Sequence, residues 1–251
     1  MNTSSKAPHT QLFILCAGEG KRLRPYTEHQ PKCMVPYRGQ ALLQYQLSVC
    51  KQLKIDNITL IGGYCADKLP QSYPIVINKD YASTNMLHSL FCAESKMNEA
   101  YDWIISYGDI IYAPCVLEKL LQSDDPVGII TDLDWQAYWE ERMEDPLKDA
   151  ETFKWDPQSR YIKDLGQKPK ELSDIQGQYI GLFKISSSYT KTFKELYHQF
   201  CTEEPNFRNA YITDFLQYLI QNKQPLLGVP IHNQWAEFDR PDDLTIDLKF
   251  L

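Results

Sequence analysis

Short apolar runs alternate along the chain with segments whose apolar positions recur every three or four residues. Leu12 to Ala17 is an unbroken apolar stretch that stops at Gly18 and Gly20, the pattern of a buried strand feeding a glycine-rich turn. Residues 40–54 place Leu42, Leu43, Leu47, Val49, Cys50 and Leu53 at mixed three and four spacing, which predicts a helix, and a second strand, Ile58 to Ile61, follows at once. Strand, loop, helix and strand in that order imply a right-handed crossover and parallel pairing. Further strands are predicted at Ile75 to Ile77, Trp103 to Ser106, Val127 to Thr131, Tyr179 to Ile185 and Leu226 to Val229, with helices near 84–98, 114–122, 188–200 and 210–221. The expected fold class is α/β: an open, mostly parallel, Rossmann-like sheet with helices on both faces. Residues 133–178 break the alternation. They are charged, carry Pro146, Pro157 and Pro169, hold three of the five tryptophans, and read as an inserted lid segment.

At 251 residues the chain is long enough for one sizeable core and short for two, so 1–251 is expected to form one domain with 133–178 as its inserted subregion. The net charge of -7 repels a polyphosphate backbone, which argues against a nucleic-acid partner. Seven cysteines without a CxxC pair read as free thiols of a reducing compartment. The polar first ten residues resemble no leader, and no run of eighteen apolar residues occurs, so a cytoplasmic, non-membrane protein is expected.

Within this acidic chain, Lys21, Arg22, Arg24 and Lys32 concentrate positive charge beside Gly18 and Gly20, whose backbone can turn tightly and offer N–H groups to an anion. A polyphosphate ligand fits that focus. The dinucleotide fingerprint fails because Leu23 stands where its third glycine belongs, and the GK[ST] ending of a Walker A loop is missing. Ala17, Gly18, Gly20, Arg22, Leu23, Pro25, Thr27, Pro31, Lys32 and Met34 instead fall in register with AGxGxRLxPxTxxxPKxM. That pattern resembles the nucleotidyltransferases that activate sugar 1-phosphates, phosphocholine and related phosphoesters. The resemblance implies that the loop from Leu15 wraps the base and triphosphate, with Lys32 and Arg22 on phosphate. Cys16 departs from the family's usual alanine.

The likeness runs over nearly the whole chain. Gly62, Gly63 and Tyr64 end the second strand, where related enzymes hold the pyrimidine. NKDYASTNMLHSL, residues 78–90, is similar to a segment whose asparagine, here Asn85, borders nucleotide and acceptor; on the residues alone, Thr84 caps a helix with Asn85 in its first turn. Asp109 follows the strand WIISY, a position suited to a hard cation beside phosphate. Asp239 follows the short strand Trp235 to Phe238, and the resemblance makes Asp109 and Asp239 ligands of one Mg2+, with Glu237 close by. Tyr107 stands where the family often has a further aspartate.

Residues 132–151, 165–169 and 175–183 resemble the branch that activates zwitterionic phosphoesters. Trp135, Trp139 and Tyr179 offer aromatic faces and Asp149 and Glu151 carboxylates to an acceptor's ammonium. The tryptophans, four apart, also fit ordinary core packing. Lys168 resembles a second lysine that neutralises the acceptor phosphate, a solvated loop charge being the alternative. The resemblance therefore implies a CTP-dependent cytidylyltransferase that passes CMP to a phosphocholine, 2-aminoethylphosphonate or phosphoglutamine type of acceptor, in cell-surface or phosphonate decoration. A sugar 1-phosphate nucleotidyltransferase and a non-catalytic nucleotide-binding protein are the alternatives. A homodimer is compatible with the resemblance.

Overall fold

The computed structural model describes residues 9–251. Most of the polar opening segment, residues 1–8, lies outside the described residues. Seven strands build the central sheet: β1 (Thr10–Cys16), β2 (Ile58–Gly62), β3 (Ile75–Ile77), β4 (Asp102–Tyr107), β5 (Val127–Asp132), β6 (Gln178–Ile185) and β7 (Leu226–Ile231). Their order is β3-β2-β1-β4-β6-β5-β7, and every neighbouring pair is parallel except that β6 runs antiparallel to both β4 and β5. The sheet is thus mostly parallel, as expected.

The helices are α1 (Leu42–Gln52), α2 (Met86–Phe91), α3 (Pro114–Gln122), α4 (Trp135–Arg142), α5 (Thr190–Glu203) and α6 (Ile212–Gln221). β1 shows why its sequence reads as a continuous apolar run rather than an alternating one. Leu12, Ile14 and Cys16 pack in one core with α1, α3 and α4, while Phe13 and Leu15 pack in the opposite core with α2, α5 and α6. A strand covered on both faces needs apolar residues at every position. None of the helices among the described residues is long and apolar enough to cross a membrane. All seven cysteines are free; Cys16, Cys33 and Cys50 are buried and Cys115 is exposed.

Two expectations change. The helix predicted over 84–98 is only α2, followed by a single 3-10 turn, Glu94–Lys96. The Gln11 side chain of β1 donates to the Lys96 carbonyl and accepts from the Asn98 N–H, which turns the chain toward β4. The cap is Asn85 and not Thr84: Asn85 accepts the Met86 N–H at 2.8 Å, whereas Thr84 is extended and its hydroxyl donates to the Asp80 carbonyl.

The 133–178 segment carries structure of its own. Its α4 joins the core beneath one face, and its antiparallel ribbon, Phe153–Trp155 with Ile162–Leu165, joins the core beneath the other. A second ribbon pairs Ile110–Tyr112 with Trp235–Glu237 and continues as a hydrogen bond from Phe238 N–H to the Asp109 carbonyl at 3.1 Å. That pairing brings Asp109 and Asp239 together.

Candidate active site

Beyond the carboxyl end of β1, the chain turns through Gly20, whose φ of +61° is left-handed. A Cβ there would also sit 3.0 Å from the Cβ of Lys32, so glycine lets the lysine stem pass close to the turn. The Thr27 hydroxyl donates to the Gly20 carbonyl at 2.8 Å and closes the loop. Lys32 itself opens a 3-10 turn after the extended Pro31 and reaches inward.

A cleft of about 130 Å³ opens here, lined by Leu15, Ala17, Gly18, Lys32, Asn85 and Asp109, with Tyr81, Met86 and Tyr107 among its other walls. Gly63 and Tyr64 flank it without lining it. The Tyr64 N–H donates to the Ala17 carbonyl at 3.0 Å and its hydroxyl to the Glu28 carbonyl at 2.6 Å, so Tyr64 tethers both ends of the glycine-rich loop.

At the cleft floor, the Lys32 ammonium donates to Asp109 Oδ2 at 2.6 Å and to Asp239 Oδ1. Arg22 pairs with the same Asp239 oxygen at 2.9 Å and lies 3.6 Å from Asp149. Burial by itself lowers the Lys32 pKa, but the charges of Asp109, Asp239 and Glu237 outweigh it, so the ammonium titrates above its ordinary range. Burial likewise raises the Asp239 carboxyl, yet Lys32 and then Arg22 bring it down to about 2. Glu237 goes the other way, raised by burial and the charge of Asp239 against the relief supplied by Arg142.

Asp109, Glu237 and Asp239 bring one carboxylate oxygen each to within 4.8 Å of the others. Asp109 Oδ1 is buried without a hydrogen-bond partner. Three converging carboxylates, one with an unsatisfied buried oxygen, suit a hard divalent cation.

A second cavity, of about 310 Å³, adjoins the first. Tyr107 and Met86 line both and form the shared wall. Trp139, Tyr179 and Trp235 supply aromatic surface, while Asp149, Glu151, Glu237 and Asp239 supply carboxylates, with Arg22 at the boundary. β6 is irregular between Tyr179 and Phe183, around Gly181 at φ +82°. A Cβ at Gly181 would meet Tyr107 at 2.6 Å, so glycine lets this strand close against the dividing wall. Burial, reinforced by Asp214 and Asp149, pushes the Glu151 carboxyl up to about 7.

Residues 12–146 match the model of the MobA-like NTP transferase domain. The chain is also 37% identical over 251 residues to the CTP:phosphoglutamine cytidylyltransferase of Campylobacter jejuni, a match that covers 94% of this chain and 98% of that one. The chain belongs to the MobA-like NTP transferase family. Two solved structures resemble this family member over 94% of its length: the inositol-1-phosphate CTP transferase from T. maritima, with TM-score 0.72, 17% identity and 91% of that chain covered, and the CTP:phosphocholine cytidylyltransferase from Streptococcus pneumoniae, with TM-score 0.70, 18% identity and 96% covered. At such identity the likeness shows the fold alone.

In this NTP transferase, Arg22, Lys32, Asp109, Asp149 and Asp239 converge, and Glu151, Trp139 and Tyr179 line the adjoining cavity. Trp135 lies behind the wall, packed edge-on against Trp139 with ring centres 6.1 Å apart. Lys168 is not brought in: its exposed ammonium donates to the Leu147 carbonyl, outside the cavity lining. Sequence reasoning missed Arg142, Trp235 and Asp243, and gave no role to Tyr107. The side chain of Arg142 is 2% exposed and contacts Glu237, Asp239 and Asp243, about a hundred positions away. Nothing in the local pattern of α4 announces those partners. Tyr107 was legible only as a departure from a family habit.

Proposed function

We propose that the protein is a CTP-dependent cytidylyltransferase that transfers CMP to the phosphate or phosphonate oxygen of a small, amine-bearing acceptor and releases pyrophosphate. The observation that carries this reading is the pair of cavities divided by Tyr107 and Met86, with the Lys32, Asp109 and Asp239 cluster at their junction. Leu15, Ala17, Gly18 and Asn85 contact the nucleotide, with Gly20, Gly63 and Tyr64 shaping the loop. In the second cavity, Trp139 and Tyr179 offer faces to an ammonium, while Asp149 and Glu151 offer charge. The segment 133–178 is then the acceptor-side subregion of a single domain. The relative in Campylobacter jejuni, named for CTP and phosphoglutamine, supports this choice of nucleotide and acceptor class.

An acceptor phosphate is ionised at neutral pH, so attack on the α-phosphorus needs no strong base. The barrier lies in bringing two anions together and in the charge that grows on the leaving pyrophosphate. Arg22 and Lys32 bring fixed positive charge to that point, and the carboxylates around Lys32 keep it protonated throughout the working range. Mg2+ held by Asp109 and Asp239, with Glu237 beside them, would supply Lewis-acid neutralisation of phosphate oxygens. Lys168 has no part in this reading because the Leu147 carbonyl engages it elsewhere.

The test is pyrophosphate release by purified protein with magnesium. Each ribonucleoside triphosphate is crossed with phosphocholine, phosphoethanolamine, 2-aminoethylphosphonate, phosphoglutamine and glucose 1-phosphate. Release with CTP and an amine-bearing acceptor is expected, and release with glucose 1-phosphate alone overturns the acceptor assignment.

A further inference from the structure

Arg142 ends α4, and its guanidinium is shut away from solvent between three carboxylates and two aromatic rings. Nε lies 3.1 Å from Asp243 Oδ1, Nη1 lies 3.2 Å from Glu237 Oε2, and Nη2 lies 3.3 Å from Asp243 Oδ2 and 3.9 Å from Asp239 Oδ2. Its carbon centre stands 5.2 Å from the Tyr138 ring and 5.5 Å from that of Trp139. The two oxygens of Asp239 are thereby divided: Oδ1 faces Lys32 and Arg22 in the cleft, while Oδ2 faces Arg142.

The same helix grips the 237–243 segment twice more. The Tyr138 hydroxyl accepts the Glu237 N–H at 2.9 Å and donates to the Glu237 carbonyl at 3.2 Å. Asp243, once fixed by Arg142, accepts the Asp239 N–H at 2.7 Å and the Arg240 N–H at 2.9 Å. Trp139, between these two anchors on α4, lines the second cavity. One helix therefore carries an acceptor-side wall and sets the backbone and side-chain orientation of two converging carboxylates.

We propose that Arg142 is a positioning residue that holds Glu237 and Asp239 in register for a divalent cation, and that it ties that register to the acceptor-side wall through α4. It rests on the reading of this site as a metal-assisted nucleotidyltransferase. A planar fork hydrogen-bonds Asp243 and Glu237 at fixed angles while holding its charge 3.9 Å from Asp239, which a lysine ammonium cannot reproduce. Residues that orient metal ligands are commonly worth about tenfold to a hundredfold in metal affinity or turnover.

The test uses the full chain and Mn2+ as the probe, with affinity read from the electron paramagnetic resonance of free ion and turnover read separately in magnesium. Arg142→Lys should weaken Mn2+ binding about tenfold or more and lower kcat comparably, with KM for CTP at saturating magnesium changed less than about twofold. Asp243→Asn keeps the shape of the anchor while weakening its hold on the guanidinium, and should give the same pattern if the lysine variant folds poorly. A folded variant with unchanged Mn2+ affinity and kcat, or one that differs only in melting temperature, overturns the positioning role. Failure of the unsubstituted protein to bind Mn2+ overturns the metal reading itself and this proposal with it, which separates the two failures.

Discussion

Glu151 is half-buried beside carboxylates, and among the described residues no ion pair engages it. Asp149 and Asp214 add negative charge, while Tyr107 and Tyr179, both held neutral by burial, bring none to balance it. Burial and those two aspartates place its carboxyl at about 7, above its ordinary value of 4.5. The folded protein then holds this proton more tightly than the unfolded chain. Its contribution to stability is present below the unfolded value and is lost as pH rises through about 7. Glu151→Gln should accordingly melt a few degrees higher than the parent at about pH 8 and close to it at about pH 4. An ammonium on the acceptor favours the ionised carboxylate, so acceptor KM should fall between about pH 6 and pH 8 in the parent and stay flat in the glutamine variant. Parallel pH profiles for the two proteins contradict the role given to Glu151. Lys32, Asp109 and Asp239 were legible in the sequence because a spaced motif and strand-end positions fix them locally. Lys168 stands outside the cavity lining, its ammonium donating to the Leu147 carbonyl, and Arg142 was invisible because distant ribbon pairing assembles its partners.

Elements were readable wherever burial dictates composition. Most strands of the sheet declared themselves through apolar runs, the buried Lys184 of β6 being a charged interruption, and α3 and α6 ended where expected because their apolar stripes end there. α2 shows the limit: the predicted helix runs past Phe91, where the chain instead tightens into a 3-10 turn whose exit Gln11 holds at Lys96 and Asn98. Its cap also joins fold to the proposed function, since Asn85 begins the helix and lines the cleft beside Lys32 and Asp109. Asn85→Ala should cost about 1 kcal/mol in denaturant unfolding, and Asn85→Ser should recover most of that loss because a hydroxyl caps nearly as well. The serine variant should nevertheless keep a raised KM for CTP, because the amide is gone. Recovery of both properties by serine would show that Asn85 only caps.

Across the whole molecule, an acidic chain of net charge -7 gathers Arg22 and Lys32 at one end of its sheet, where β1, β4 and the 110–112 and 235–237 ribbon converge. The 133–178 segment was legible as distinct by its prolines and tryptophans. Its division between the two faces of the sheet was not, because that depends on which core each half reaches. The proposed cytidylyl transfer makes one demand on the reaction: the bond that breaks must lie between the α-phosphorus of CTP and the oxygen that bridges it to the β-phosphorus, so that CMP joins the acceptor oxygen and pyrophosphate leaves. That demand is tested by incubating the protein and magnesium with CTP radiolabelled at the α- or the γ-phosphorus, together with phosphoglutamine or phosphocholine. The α-label is expected in a CMP-acceptor conjugate and the γ-label in pyrophosphate. Appearance of γ-label as orthophosphate or on the acceptor, with α-label left in CDP, would contradict it.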